Sequence, residues 1–204
     1  MRESSRRRVT IFDYGAGNLH SLAKAVAAFG TEPAIEVDPV RAIDTDVLLL
    51  PGVGAFTPAA GRLAPGLAAM RDALAGGLPC LGICLGMQLL LDVSDEGPGT
   101  GLGIIPGRVE RIRAGRLPQI GWNTADDARD PLFAQSGLRD VYYANSFICR
   151  PVDPGCVTSW STHEGDRFPA SVRIGSTVGV QFHPEKSSGA GVAFIHAFLK
   201  EMFG

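Results

Sequence analysis

The sequence has little excess charge of either sign, few cysteines and no apolar run long enough to cross a bilayer. Its 204 residues include 19 lysines and arginines against 21 acidic residues, so the net charge of −2 does not favour nucleic acid. A transmembrane helix needs about 20 consecutive apolar residues, and the sequence contains no such stretch. The composition therefore predicts a soluble protein that binds neither nucleic acid nor a membrane.

The four cysteines and four histidines are spaced neither as metal ligands nor as a disulfide framework. Zinc sites use short paired spacings of these residues, so no metal is predicted. A free cysteine usually behaves as a small buried hydrophobe, which is the interpretation for Cys80, Cys149 and Cys156. Unpaired thiols persist in a reducing compartment, and the chain is therefore predicted to be cytoplasmic.

The start of the chain is basic, with Arg2 followed by Arg6, Arg7 and Arg8. A signal peptide also begins with basic residues, but its apolar region is longer than the short strand that precedes Asp13 here. Residues 1–8 are therefore predicted to form a flexible tail.

The length of the chain is at the upper end of the usual single-domain range, and no internal repeat divides it, so residues 1–204 are predicted to form one domain.

Apolar strands alternate with helices in the first half of the chain. Strands are predicted at Val9–Phe12, 33–37 and Val47–Leu50, and helices at 18–29 and 66–75. From about residue 108 the pattern changes to short strands, predicted at 108–113, 141–147, 157–161, 170–174 and 177–182, before a last helix at 191–202. This order predicts a three-layer, flavodoxin-like α/β fold. Its central, mainly parallel sheet would carry added antiparallel strands, with the active site at the carboxyl ends of the strands.

A cysteine between glycines stands where a predicted strand turns sharply into a helix. The segment 78–92 resembles a buried strand that breaks into a helix, with Gly82, Cys84 and Gly86 at the junction. This is the thiol form of a nucleophile elbow, in which small neighbours allow a tight turn that lifts the nucleophile above the sheet edge. Cys84 is therefore predicted to attack a carbonyl group.

A candidate base and its orienting carboxylate follow the apolar strand near the end of the chain. His183 and Glu185 flank Pro184, and in an extended chain residues two apart point to the same side. They can therefore face one pocket with Cys84, in a triad recognised by geometry and not by chain order. His20, His163 and His196 lie in predicted helices or a polar turn and are interpreted as structural or solvated.

Two glycine-containing loops follow predicted strands. The loop 13–18 lacks the third glycine of a dinucleotide fingerprint, so no cofactor is predicted. The loop 51–56 carries Gly52 and Gly54, whose backbone amides could approach a substrate. Alone it would be interpreted as a plain strand-to-helix turn. Beside Cys84 it is predicted to share an oxyanion hole with the amide of Leu85.

These motifs resemble those of the class I, triad-type glutamine amidotransferases, and among them the glutaminase subunits of imidazole glycerol phosphate synthase. The resemblance covers almost the whole chain. It is carried by Asp13-Tyr14-Gly15 with Gly17-Asn18-Leu19, by the 51–56 loop, by residues 81–88, by Gly121-Trp122-Asn123 and by residues 181–187.

The resemblance implies an activity, a partner and further site residues. It implies hydrolysis of L-glutamine to glutamate and ammonia, and transfer of ammonia within a heterodimer to a (β/α)8-barrel cyclase subunit in histidine biosynthesis. The lyase activity would require that complex. The implied site comprises catalytic Cys84, His183 and Glu185, oxyanion-hole residues Leu85, Val53 and Gly54, substrate-binding residues Gly52, Gln88, Glu96, Ser146 and Phe147, and interface residues Trp122, Asn123 and Asn18.

The chain departs from the family pattern at three positions. Gln119 and Asn145 stand where histidines are expected, and Phe147 where a tyrosine is expected. These segments would lie between the glutamine pocket and the subunit interface, so the departures concern substrate hydrogen bonds and the signal from the partner.

Two alternative functions stay open on the sequence. One is a glutaminase that feeds a pyridoxal phosphate synthase, although that family has a glycine-glycine-glutamate loop where this chain has Pro51-Gly52-Val53-Gly54. The other is a flavodoxin-like stress-response protein with a redox-sensing elbow cysteine, against which the segment 181–186 argues. An assay for ammonia release from glutamine would separate the enzyme from the sensor.

Overall fold

A computed structural model describes residues 7–15 and 19–204 of the chain. Most of the predicted tail at 1–8 and the predicted interface residue Asn18 lie outside the described residues. Within them, no helix is both long enough and apolar enough to cross a membrane.

The described residues contain twelve strands and seven α-helices. The strands are β1 (Val9–Phe12), β2 (Ala34–Glu36), β3 (Val47–Leu50), β4 (Cys80–Ile83), β5 (Val93–Ser94), β6 (Gly107–Arg111), β7 (Gln119–Thr124), β8 (Asp140–Asn145), β9 (Phe147–Pro151), β10 (Val157–His163), β11 (Asp166–Ile174) and β12 (Thr177–Val180). The helices are α1 (His20–Ala27), α2 (Pro39–Ala42), α3 (Phe56–Leu63), α4 (Leu67–Ala75), α5 (Leu85–Leu89), α6 (Pro131–Ser136) and α7 (Ser188–Phe203).

The central sheet has the strand order β10-β11-β12-β4-β3-β1-β2. The five strands from β12 to β2 run parallel, and β10 and β11 are added antiparallel at one edge. A two-stranded ribbon of β7 and β8 and a small sheet of β5, β6 and β9 complete the strands. The predicted three-layer fold with a mainly parallel sheet is confirmed.

The core lies on both faces of this sheet because the central strands are buried on both sides. Leu49 and Leu81 point into a core shared with α1, α6 and α7, whereas Leu48 and Leu50 point into a core shared with α3, α4 and α5. Successive strand residues face opposite sides, so a continuous apolar strand supplies both cores. The carboxyl ends of β3, β4 and β12 consequently meet at the middle of one sheet edge.

Several predicted boundaries are wrong, and the differences have local causes. The predicted strand 141–147 is two strands, β8 and β9, which leave Ser146 between them and pair with β7 and β6 respectively. A loop is predicted directly after β3, whereas the structure has helix α3 from Phe56, with Pro58 and Gly61 inside it. Pro58 lies in the first turn, where its missing N–H has no intrahelical partner to lose.

Helix α6 and strand β7 were also missed. Helix α6 begins after Asp130, whose side chain accepts a hydrogen bond from the Leu132 amide, and it ends at Gly137 in the left-handed region at φ 68°. Both are ordinary helix-end signals, so α6 was recoverable from the sequence. Strand β7 contains Gly121, which weakens its strand signal, and within residues 7–15 and 19–204 its one partner strand is β8.

Candidate active site

Cys84 lies at the junction of β4 and α5 in a conformation that few non-glycine residues adopt. Its φ is 51° and its ψ is −101°. The Cys84 amide donates a 2.7 Å hydrogen bond to the carbonyl of Val180, at the end of β12. Strained backbone of this kind persists only where surrounding structure holds it, and it is common at nucleophile elbows. The strand-turn-helix geometry predicted around Cys84 is thus present.

Two glycines allow two backbone segments, residues 50–52 and 83–86, to cross directly beneath the elbow. A Cβ atom on Gly52 would lie 1.8 Å from the carbonyl oxygen of Ile83 and 2.7 Å from the amide nitrogen of Leu85. A Cβ atom on Gly86 would lie 1.9 Å from the carbonyl oxygen of Leu50. No side chain fits at either position. The loop after β3 and the first amide of α5 therefore lie against each other, as a shared oxyanion hole requires.

His183 and Glu185 form a buried pair. The Nδ1 atom of His183 lies 2.8 Å from Oε1 of Glu185, and the His183 side chain is 1 % exposed. The extended backbone expected across Pro184 is wrong, because a 3₁₀ turn spans Pro184–Lys186. The two side chains meet because this turn brings Glu185 back toward the imidazole ring. A carboxylate on Nδ1 leaves the other ring nitrogen, Nε2, for proton exchange.

The backbone of His183 is fixed by β8 and by Ser187. The His183 amide donates to the Tyr142 carbonyl at 2.8 Å, and the Ser187 hydroxyl donates to the His183 carbonyl at 2.7 Å. The Ser187 hydroxyl oxygen also accepts a hydrogen bond from the Tyr142 amide. This closed set of contacts holds the imidazole at the edge of the sheet where Cys84 lies.

The environment of His183 favours its charged form. Burial disfavours the imidazolium, but the neighbouring side chains of Cys84 and Glu185 favour it more strongly and raise the pKa of His183 from 6.5 to about 9. The buried Nε2 atom forms no aligned hydrogen bond with any described residue. It is therefore the nitrogen left to give a proton to a reacting group.

This pKa shift predicts a specific dependence of stability on pH. The folded-state pKa exceeds the unfolded value of 6.5, so the stabilisation is complete below about pH 6.5 and is lost as pH rises through about 9. A shift of this size corresponds to at most about 3 kcal/mol of unfolding free energy. Urea unfolding of the wild-type chain and of His183→Asn across this range should show a difference that shrinks with pH. A difference that stays constant would contradict the shift.

A cavity of about 240 Å³ opens beside Cys84. Every residue predicted for the oxyanion hole or for substrate binding lines it, and the predicted nucleophile does too: Gly52, Val53, Gly54, Cys84, Leu85, Gln88, Glu96, Ser146 and Phe147. The other three lining residues, Pro118, Ala144 and Asn145, carry no sequence signal that marks them as part of the pocket. They come from the β7–β8 ribbon and the loop before it, which were only partly predicted.

Gln88 and Glu96 are held by hydrogen bonds and are not simply solvated. The Nε2 atom of Gln88 donates to the carbonyl of Phe147 at 3.0 Å. The Oε2 atom of Glu96 accepts a 2.8 Å hydrogen bond from the amide of Phe56, the first residue of α3. Glu96 thus caps α3 and fixes one end of the loop that carries Val53 and Gly54. Its carboxylate also supplies negative charge to the cavity wall.

Two of the three departures from the family pattern lie at one end of the β7–β8 ribbon, and the third, Phe147, is the first residue of β9. Gln119 and Asn145 are opposite each other in the β7–β8 pairing, and both are buried. The Nδ2 atom of Asn145 donates to the Phe147 carbonyl at 3.0 Å. The side-chain oxygens of Gln119 and Asn145 have no hydrogen-bond partner among the described residues. Asn145 lines the cavity beside Cys84, whereas Gln119 does not.

The outer face of the ribbon is apolar and exposed. Trp122 is 58 % exposed and Ile120 is 66 % exposed, so neither belongs to the core. Trp122 packs edge-on against Tyr142, with 6.0 Å between ring centroids. Asn123 donates to the Thr162 carbonyl and accepts from the Thr124 amide, which uses its polar atoms within the chain. Asn18, the third predicted interface residue, lies outside the described residues.

The other three cysteines, together with His163 and His196, have structural surroundings, and His20 is exposed at the start of α1. Burial raises the pKa of the Cys80 and Cys149 thiols well above the ordinary value, which keeps both unreactive. Cys156 is partly exposed, and burial raises the pKa of its thiol as well. His196 contacts the Ala25 carbonyl, and His163 contacts the Arg116 carbonyl. None of these side chains lines the cavity beside Cys84.

Comparison with known proteins gives one family. The model of the family "Glutamine amidotransferase class-I" matches residues 10–202. The chain is 46% identical over 196 residues to imidazole glycerol phosphate synthase subunit HisH of Symbiobacterium thermophilum, covering 92% of this chain and 91% of that protein. It is 42% identical over 193 residues to the subunit of the same name from Thermus thermophilus, covering 93% and 94% respectively.

Solved structures share the fold at lower sequence identity. A glutamine amidotransferase crystal structure superposes with a TM-score of 0.72 at 21% identity, covering 96% of this chain and 99% of the other. A glutamine amidotransferase from Thermotoga maritima gives a TM-score of 0.65 at 19% identity, covering 97% and 84%.

Proposed function

The chain belongs to the class I glutamine amidotransferase family, and on that premise we propose that it is the glutaminase subunit of an imidazole glycerol phosphate synthase. The observation that carries the proposal is the 46% identity to a HisH subunit over 92% of the chain. The proposed reaction converts L-glutamine and water to glutamate and ammonia, within one cytoplasmic amidotransferase domain.

In the proposed first step the Cys84 thiolate attacks the side-chain amide carbon of glutamine. The C–S bond forms as the carbonyl π electrons move to oxygen. When the tetrahedral intermediate collapses, the C–N bond breaks and the imidazolium of His183 gives its Nε2 proton to the departing nitrogen. Ammonia leaves, and a glutamyl thioester remains on Cys84. The raised pKa of His183 supports this step, because the ring is protonated before the leaving group departs.

In the second step water hydrolyses the thioester. Neutral His183 accepts a proton from water through Nε2 as the oxygen attacks the thioester carbon. The C–S bond then breaks, which releases glutamate and returns the Cys84 thiolate with a protonated His183. Glu185, at 2.8 Å from Nδ1, keeps the ring oriented and stabilises its charged state in both steps.

The cavity walls suggest how glutamine and the oxyanion are held. We assign the oxyanion to the amide of Leu85 together with an amide of Val53 or Gly54, because these segments adjoin below the elbow. Gln88 and Glu96 are the proposed ligands of the polar end of glutamine, and the Glu96 carboxylate suits the α-ammonium group. Ser146 and Phe147 form the opposite wall of the same cavity.

The proposed partner is a (β/α)8-barrel cyclase subunit that receives the ammonia as one half of a heterodimer. The exposed Trp122 and Ile120 on β7 are a suitable anchor for it, since buried tryptophans often dominate interfaces. The same ribbon contributes Ala144 and Asn145 to the cavity. A protein that docks on the outer face of this ribbon therefore contacts the element that forms one wall of the glutamine site.

The proposal predicts strong activation of the glutaminase by the partner. The φ of Gly54 is +130°, and glycine can change peptide orientation at little cost, so the oxyanion donor need not face the cavity in the free chain. Supplying a missing oxyanion donor changes rates by roughly 10²- to 10³-fold. We therefore expect slow glutamine hydrolysis by the chain alone and an increase of about that size with a cyclase subunit and its acceptor ligand.

The assay compares ammonia release in three samples: the chain alone, the chain with a cyclase subunit, and both with the acceptor ligand. The Trp122→Ala chain is the matched control, since it should keep the basal rate of the free chain and lose activation at limiting partner. Equal rates in all three samples would overturn the coupling. No ammonia release in any sample would overturn the proposed function itself.

A further inference from the structure

Gln181 lies beside the nucleophile and has no part in the mechanism described so far. It directly follows β12, whose last residue, Val180, is opposite Ile83 at the end of β4. The parallel pairing therefore places Gln181 level with Cys84. The Gln181 side chain is fully buried, and its Nε2 atom lies 3.4 Å from the Cys84 sulfur. The geometry is that of an N–H group donating to sulfur.

The orientation of the Gln181 amide follows from a chain of contacts that begins at a backbone carbonyl. The Phe147 carbonyl can only accept, so the side-chain atom of Gln88 that lies 3.0 Å from it must be the donor Nε2. The Nε2 atom of Gln88 also lies 3.5 Å from the side-chain amide of Gln181. Gln181 must therefore present its acceptor Oε1 to Gln88. The NH₂ group of Gln181 is then left facing the sulfur of Cys84.

From these contacts we propose that Gln181 is a positioning residue that presents an N–H donor to the Cys84 sulfur, favours its ionised form and holds it at the cavity. A hydrogen bond to a charged acceptor is roughly twice as strong as one between neutral groups. The donor therefore stabilises the thiolate more than the thiol. This inference rests on the proposed role of Cys84 as the nucleophile.

The same hydrogen bond should make each thiolate less reactive. Thiolate nucleophilicity falls as the thiolate becomes more stable, with a sensitivity of roughly 0.4–0.5. Loss of the donor should lower the ionised fraction of the Cys84 thiol about tenfold at pH values where the thiol is mostly protonated. The intrinsic reactivity rises about threefold in compensation. Plots of Cys84 reaction rate against pH for the wild type and for a variant without the donor should therefore cross.

The test measures alkylation of Cys84 by iodoacetamide as a function of pH, with the modified residue identified by tandem mass spectrometry. Gln181→Met removes the donor with little change in side-chain volume. Relative to wild type it should react about threefold more slowly at pH values where the thiol is mostly protonated, and about threefold faster where the thiol is fully ionised in both proteins. Thr177→Val, a buried change on the same strand that lies away from the sulfur, is the control and should follow the wild-type profile.

A purely structural role for Gln181 would lower the melting temperature of Gln181→Met and leave the two profiles superimposed, which would overturn the inference. If Gln181→Met does not fold, Gln181→Asn keeps a polar side chain but withdraws it from the sulfur, and it should give the same crossing. Alkylation needs neither glutamine nor a partner. Crossing alkylation profiles in a protein without any glutaminase activity would therefore contradict the proposed function and still support this role of Gln181.

Discussion

Replacing Cys84 with alanine should abolish glutamine hydrolysis while leaving the fold intact. The change removes the atom that forms the thioester, and in a hydrolase with an analogous triad such a loss costs roughly 10⁶-fold in kcat. Alanine carries a Cβ like cysteine, so it occupies the left-handed backbone at φ 51° with no added strain. Ammonia release in the presence of a cyclase subunit measures the loss, and thermal unfolding checks the fold.

The matched control for this change is Cys80→Ala, four residues earlier at the start of β4. Cys80 is fully buried in the core and does not line the cavity. Its removal should lower stability somewhat and leave the glutaminase rate per folded molecule unchanged. Retained activity in Cys84→Ala, or complete loss in a folded Cys80→Ala chain, would show that the nucleophile has been assigned to the wrong cysteine.

Replacing His183 should reduce the rate of thioester formation nearly as much as replacing Cys84. His183 is the proton donor to the leaving nitrogen, and loss of the base in an analogous triad costs roughly 10⁶-fold. His183→Ala also leaves Glu185 buried without its partner, which is destabilising. His183→Asn, which keeps a polar group there, is therefore measured beside it. Single-turnover formation of the thioester isolates the step.

Glu185→Gln provides the internal comparison for His183. It keeps the shape of the side chain but removes the charge that orients and stabilises the imidazolium. Loss of the orienting carboxylate in an analogous triad costs roughly 10⁴-fold, so this variant should stay faster than either His183 variant. A Glu185→Gln chain slower than His183→Asn would reverse the roles given to the two residues.

The sequence predicts those parts of the site that are encoded locally. The spacing of Gly82, Cys84 and Gly86 predicts the elbow because the steric demand of the turn falls on neighbouring residues. His183 and Glu185 are recognised as a pair because they are close in sequence. Their separation of two residues nevertheless suggests extended chain, where the structure has a 3₁₀ turn. Proline is compatible with both backbones, so local sequence does not distinguish them.

The contacts that complete the site join distant parts of the chain and have no local signal. Gln181 lies 97 residues from Cys84 in sequence, and Gln88 lies 59 residues from Phe147. The orientations of the Gln181 and Gln88 side-chain amides depend on each other and on the Phe147 carbonyl. Only the folded chain brings these three groups together. Ser146 was predicted within a single strand because its neighbours favour strand. At Ser146 the chain passes from β8, which pairs with β7, to β9, which pairs with β6. This change depends on how the strands assemble and not on the residues around Ser146.

The backbone crossing beneath the elbow also determines how sequences with this fold can diverge. At Gly52 and Gly86 a side chain would collide with carbonyl groups of β4 and β3, which the sheet itself holds in place. A compensating substitution elsewhere can shrink a neighbouring side chain, but it cannot move a paired strand. Descendants that lost all catalytic use of Cys84 would still be expected to keep both glycines. A position such as Asn145, which lines the cavity with its side chain and not with a crossing backbone, is free to drift.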